Sequence, residues 1–171
     1  MIALIACYAT NLYEPTFFES LSKVISEMTN YDIIIGGNMN AVINPLLDRS
    51  RNTQSNSSAN LALSTIINNY ALVDIWRVRH PISKELTFFS KRHLTFSRID
   101  YIFISSKLVD LVQNTEISHM SISDHHANVC KKCFSQENNR AARWRFNLTL
   151  LQDSQYCQQL KIGLREFMLY N

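Results

Sequence analysis

Glycine, proline and long apolar runs are all scarce in this chain, and each scarcity removes a class of protein. Three glycines and three prolines in 171 residues exclude collagen-like and low-complexity chains, which need those residues in quantity. No apolar run reaches the roughly 20 residues of a bilayer-crossing helix. The opening Ile2–Cys7 run has no basic segment before it and is shorter than a usual signal core. Cysteine is sparse and irregular: Cys7, Cys130, Cys133 and Cys157 sit in a chain large enough to do without disulfides. A reduced intracellular compartment, nuclear or cytoplasmic, is therefore expected, with no membrane association. Strong net charge is lacking too, since +3 overall does not by itself indicate nucleic acid.

Hydrophobic residues make up 46% of the chain, which suffices for one globular domain with a core. Charge is uneven along it. Residues 1–75 carry three basic against six acidic side chains, whereas residues 76–107 carry Arg77, Arg79, Lys84, Lys91, Arg92, Arg98 and Lys107 against Glu85 and Asp100. Such a basic segment is what a phosphate-tracking surface needs, because each cation that neutralises a phosphate releases a condensed counterion. A solvated charged face gives the same count, and on charge alone it is the commoner explanation.

Residues 2–8 (IALIACY) read as a continuously apolar strand, the pattern of burial on both faces. Pro15 opens a helix with Phe18, Leu21, Ile25 and Met28 as its apolar stripe. Asp32–Gly36 reads as a second buried strand, with Gly36-Gly37 as a sharp turn at its end. Residues 49–60 are polar and read as a mobile loop; Leu63, Ile66, Ile67 and Tyr70 then mark a helix. Leu86–Ser90 and Thr95–Ser105 read as strands around the connection Lys91–Leu94, followed by strands near Thr115–His119 and Ala127–Phe134. The character changes at Asn138, where Leu160, Leu164, Phe167 and Met168 predict an amphipathic helix. This places one domain over 1–137 and a helical segment over 138–171. The pattern predicts the α+β class, sheets flanked by helices, with site residues on loops at one sheet edge.

Four segments carry polar residues at the ends of apolar strands: Tyr8-Ala9-Thr10-Asn11, Gly36-Gly37-Asn38-Met39-Asn40, Ser97-Arg98-Ile99-Asp100-Tyr101 and Ser123-Asp124-His125-His126. Asp and His in one short loop supply two requirements of phosphodiester hydrolysis, a hard oxygen ligand for Mg2+ and a group that can hydrogen-bond or protonate a phosphate oxygen. Each residue also has a plainer reading. Tyr8 can be an aromatic at a strand end, Asp100 and Arg98 an ordinary ion pair, Trp76 core, and Thr87 a strand former. His125, His126, Cys130 and Cys133 could be read as a zinc set, but one short alternating strand cannot aim all four at a single point.

In order and spacing, these segments resemble the Y-A-P-N, G-G-D-F-N, S-R-I-D-Y and S-D-H motifs of the endonuclease/exonuclease/phosphatase superfamily. Asp74-Ile75-Trp76-Arg77 and Thr87-Phe88-Phe89-Ser90 resemble its non-LTR retrotransposon branch. Arg143-Trp144-Arg145-Phe146-Asn147 resembles the segment that follows the endonuclease in such elements. The ordered set spans about residues 3–150 and is specific where any single motif would not be.

The resemblance implies the C-terminal part of a four-layer α/β sandwich, two mixed sheets flanked by helices. It further implies Mg2+-dependent hydrolysis that nicks DNA to prime reverse transcription. DNA is the implied partner and Mg2+ the cofactor, with no small-molecule cofactor and a reverse transcriptase region downstream in the parent element. Asp124 would hold Mg2+ together with a glutamate. His125 would contact the scissile phosphate, with Asp100 on its other ring nitrogen. Asn38 and Asn40 would orient water or a phosphate oxygen, and Tyr8 would donate to developing charge. Thr87, Lys91 and Arg92 would contact DNA, and Arg98 would support the strand or the DNA backbone.

The chain departs from the family pattern in ways that predict weak or absent activity. Asn38 stands where the family has Asp, and an amide cannot accept a proton at neutral pH. The family's Asn and metal-binding Glu precede Y-A-P-N, whereas the Gln136-Glu137 pair follows Ser-Asp-His, so the expectation is an N-terminally truncated domain that holds Mg2+ poorly and leaves sheet edges and one apolar face uncovered. Thr10 for Pro and Met39 for Phe look tolerable. The alternatives are a non-catalytic nucleic-acid-binding remnant or another phosphodiesterase or phosphatase of the superfamily.

Overall fold

In the computed structural model, residues 1–51, 57–118 and 123–132, with Gln158 and Lys161, are described. The chain divides into two compact units, Met1–Phe134 and Ser135–Asn171. Of the second, Gln158 and Lys161 are helical and exposed. The rest of the helix predicted after Asn138 lies outside the described residues, as do Arg143–Asn147, Gln136-Glu137, Cys133 and Cys157.

In chain order the elements are β1 (Ile2–Tyr8), α1 (Pro15–Glu27), β2 (Asp32–Asn38), α2 (Ser58–Asn69), β3 (Leu72–Asp74), α3 (Ile75–Arg79), β4 (Phe88–Ser90), β5 (Thr95–Ser97), β6 (Asp100–Ser105), a 3-10 helix (Ser106–Leu111), β7 (Val112–Ser118) and β8 (Ala127–Lys132). β1 and β2 run parallel, from Ile2 opposite Asp32 to Tyr8 opposite Asn38, and α1 is the crossover that a parallel pair requires. β6 lies antiparallel to β2 and to β3, giving a four-stranded sheet in the order β1-β2-β6-β3. β4–β5 and β7–β8 are separate two-stranded pairs.

Pro15 starts α1 where its missing N–H costs no bond. Phe18, Leu21 and Ile25 on α1, with Leu63 and Ile66 on α2, pack against Ile33, Ile35, Leu72, Tyr101 and Phe103 on one face of the sheet. Ser57 caps α2 by accepting the amide of Asn60. On the opposite face Ile104 packs with Ile75, Leu108 and Val112. This is a mixed α/β arrangement, as the residue pattern predicted.

Several details differ from the sequence reading. β1 is an edge strand rather than one buried on both faces: Ile5 and Cys7 pack on the core, while Leu4 is 77% exposed and Tyr8 72%. Uniform apolarity shows what a strand's faces tolerate, not that something covers them. Gly36-Gly37 is not a turn; both residues sit in β2 and pair with β1 and β6. Gly37 has φ +142°, and a Cβ there would lie 1.9 Å from the carbonyl oxygen of Cys7, so only glycine fits. The stretch 95–105 is two strands in different sheets, broken at Arg98-Ile99. The polar 49–60 segment is fixed at both ends, by an Arg49–Ser97 bridge and the Ser57 cap. β3 and α3 were not foreseen; Asp74 starts α3 by accepting the amide of Arg77 at 3.2 Å. Among the described residues no helix is long and apolar enough to cross a membrane.

Candidate active site

The strand register sets the site. Tyr8 ends β1 opposite Asn38 at the end of β2, and Asn38 in turn lies opposite Asp100 at the start of β6. Directly opposed residues share a sheet face, so three polar side chains line up at one edge. The loop Ser123–His126 closes over this row. Together they line a cleft of about 600 Å3, with Tyr8, Asn11, Asn38, Asn40, Phe88, Asp100, Ser123, Asp124 and His125 among its walls.

Within the cleft, Nδ1 of His125 lies 3.0 Å and 3.2 Å from the two oxygens of Asp100. A carboxylate only accepts, so Nδ1 carries the proton and Nε2 is left for another partner. The His125 ring packs on Phe88 with centroids 4.7 Å apart. β4 and Thr87 just before it also hold the loop by their backbone: the Phe89 amide donates to the Asp124 carbonyl at 3.1 Å, and the His126 amide to the Thr87 carbonyl at 2.6 Å. Ser123 turns the loop, its hydroxyl accepting the His125 amide at 3.0 Å.

Asn38 is buried, and its side-chain oxygen accepts the Asn40 amide at 2.7 Å. That fixes the rotamer and leaves its NH2 as the functional end, a donor with no basicity. Asn40 has φ +45°, a conformation asparagine tolerates better than most residues. Its side-chain Nδ2 donates to the Ala9 carbonyl, stitching the ends of β1 and β2 together. Asp124 is exposed. Burial pushes the Cys7 thiol, also on the cleft wall, above its ordinary pKa.

Behind the cleft lies a buried charge cluster. Asp48 is fully buried and accepts from both Arg98 and Arg77, and Arg98 also donates to Asp74 at 2.6 Å. Burial alone would lower the Arg98 pKa; Asp74 beside it, with the hydrogen bond to Asp48, more than offsets this and raises it. Both guanidinium groups stack on the buried Trp76 ring, 5.0 Å and 5.1 Å from its centroid. Burial drives the Tyr101 phenol well above its ordinary pKa, and its hydroxyl donates to the Arg98 carbonyl at 2.8 Å.

Of the residues singled out in the sequence, Tyr8, Asn38, Asn40, Asp100, Asp124 and His125 come together. Lys91 and Arg92 sit exposed at the tip of the β4–β5 hairpin. Two expected DNA contacts are corrected. Thr87 is fully buried, its hydroxyl accepting from the amides of Ile99 and Asp100. Arg98 is 1% exposed and spends its guanidinium on Asp48 and Asp74. Its guanidinium is buried against protein carboxylates, and it does not pair with Asp100. Trp76 is core. Asn11, Ser123 and Phe88 on the cleft wall went unassigned although they lie within the quoted segments. Asp48 went unnoticed, and its signal was indirect: a buried arginine demands a carboxylate. Among the described residues no three His, Cys, Asp or Glu gather to hold a metal ion.

The fold has solved counterparts. Solved structures that share the fold include the 3′ phosphatase NExo from Neisseria bound to a product DNA hairpin, at TM-score 0.67 and 20% identity over 78% of this chain and 62% of that one. They also include the endonuclease domain of TRAS1, a telomere-specific non-LTR retrotransposon, at TM-score 0.55 and 18% identity over 72% and 56%. The chain therefore shares its fold with these two proteins. By sequence, the chain is 32% identical over 162 residues to the transposon TX1 uncharacterized 149 kDa protein of Xenopus laevis, a match that covers 88% of this chain. It spans only 12% of that relative's length. No protein-family model matches the chain.

Proposed function

We propose that this chain is a retrotransposon-type DNA endonuclease domain whose chemistry is weakened by Asn38. The observation that carries this reading is the Asp100–His125 pair, 3.0 Å apart, facing one cleft with Tyr8, Asn38, Asn40 and Asp124. A phosphodiester entering the cleft meets His125 through Nε2, which can hydrogen-bond or protonate a phosphate oxygen while Asp100 stabilises the charged ring. Tyr8 and the Asn38 amide supply further donors for the charge that develops on phosphorus oxygens. The amide at position 38 cannot take a proton from water as a carboxylate there would, and losing that help costs about 10²–10⁴ in rate.

Mg2+, when bound, would neutralise phosphate charge. Asp124, an exposed carboxylate on the cleft wall, would hold it, since Asp100 is engaged by His125. One carboxylate is a sparse set, so most of the six oxygens would come from water and the DNA phosphates, and metal and DNA would bind together. A nuclear or cytoplasmic setting goes with this reading, and residues 138–171 would form the segment leading toward a reverse transcriptase region.

The test is nicking of supercoiled plasmid across a Mg2+ series extended until a weak site fills. The chain itself should stay near background, Asn38→Asp should gain about 10²-fold or more, and adding His125→Ala should remove that gain. A folded Asn38→Asp protein that binds duplex yet gains nothing at any Mg2+ concentration would replace this reading with the non-catalytic binding remnant. That second reading is favoured by Asn38 itself together with the exposed Lys91 and Arg92.

A further inference from the structure

Thr87 is fully buried, and its polar atoms reach three segments of the site. Its amide donates to the Ser97 carbonyl at 3.0 Å, and its carbonyl accepts the His126 amide at 2.6 Å. Its hydroxyl oxygen accepts two amides, those of Ile99 and Asp100, each at 3.2 Å. The need for that oxygen comes from the topology. At Arg98-Ile99 the chain leaves the β4–β5 pair to join the four-stranded sheet, so the amides at the crossing require an acceptor from outside a regular ladder. Strand preference alone would be met equally by valine, which has the same shape and no acceptor.

We propose that Thr87 is a positioning residue. Its hydroxyl fixes the backbone that carries Asp100, and its carbonyl fixes the loop that carries His125. One residue thus sets the carboxylate-to-imidazole contact and, through it, which ring nitrogen of His125 bears the proton. The proposal rests on the phosphodiesterase reading for its significance, but the geometry it concerns can be measured without DNA or metal.

The readout is the ring ¹⁵N shifts of His125 in the neutral imidazole. The wild-type protein and Thr87→Ser, which keeps the oxygen, should hold the proton on Nδ1. Thr87→Val should let the ring populate the Nε2–H form and speed exchange of the Ile99 and Asp100 amides by about tenfold. A valine variant that keeps the native tautomer, or a serine variant that loses it, overturns the proposal. Should the valine protein fail to fold, native-state hydrogen exchange of the wild type decides. The amides of Ile99, Asp100 and His126 should open together, and independent openings would overturn the idea. Failure of the two readings can be told apart. A tautomer that obeys Thr87 in a protein that never nicks DNA, even as Asn38→Asp, removes the function and leaves the positioning; nicking with a tautomer indifferent to Thr87 does the reverse.

Discussion

The basic segment 76–107 is used in two opposite ways. Arg98 and Arg77 turn inward, sharing the buried Asp48 and the Trp76 ring, while Lys91 and Arg92 stand in solvent at a hairpin tip. In the sequence the four look alike. The difference lies in what the neighbours need: a desolvated guanidinium requires carboxylates and an aromatic face, whereas a hairpin tip requires only solubility or a phosphate. A count of basic residues thus measures neither a nucleic-acid surface nor a solvated face until burial has divided it.

The largest effect should come from the inner pair. Arg98→Ala leaves the fully buried Asp48 with Arg77 as its remaining cation, and breaking a buried pair in this way costs about 3–5 kcal/mol. Urea unfolding would show it as a lower midpoint, and a loss below about 1 kcal/mol would mean that the inner and outer cations do not differ in what they contribute to stability. The pH dependence has a definite sign. Arg98 and Tyr101 both have folded pKa values raised above their ordinary ones, so their contribution is complete below the unfolded values. For Tyr101 stability should begin to fall as pH rises past about 10, the ordinary phenol value.

Arg77 sits between the extremes, with 18% of its side chain exposed. It donates to Asp48 and to the carbonyls of His80 at 2.9 Å and Ser83 at 2.7 Å. Arg77→Ala should cost about 1–3 kcal/mol, the range of charged hydrogen bonds, because water can partly replace the guanidinium. A loss equal to that of Arg98→Ala would mean that depth in the cluster does not matter, and the graded comparison would fail.

What could be read from the sequence follows the same division. Strands β1 and β2, both long helices and the hairpin were legible because apolar spacing reports directly on local structure. The alignment of Asp100 with His125 was legible only through motif order, since 25 residues separate them and periodicity carries no information on such a pairing. β3 and α3 were missed because three-residue and five-residue elements hold too few positions to show a period. Thr87 and Arg98 were set outside because a motif names residues without saying which way they point. The exposed face of β1 was missed for the related reason that apolarity fixes no neighbour.

The smallest effect on stability should come from the outer pair. Lys91→Ala with Arg92→Ala should leave the unfolding midpoint within about 0.5 kcal/mol of the parent, since neither side chain is buried. Its effect should appear in binding instead. If the hairpin tip tracks a DNA backbone, each side chain releases one counterion, and the slope of log affinity against log salt should become shallower by up to about two. Arg77→Ala, measured at a denaturant-free temperature where it stays folded, should change that slope little, because its charge is already matched by Asp48. Equal slopes for the parent and the Lys91/Arg92 variant would make the hairpin tip a solvated face. The exposed cations of this segment would then have no more to do with phosphate than the buried ones, and whatever DNA affinity remained would have to come from the cleft around His125.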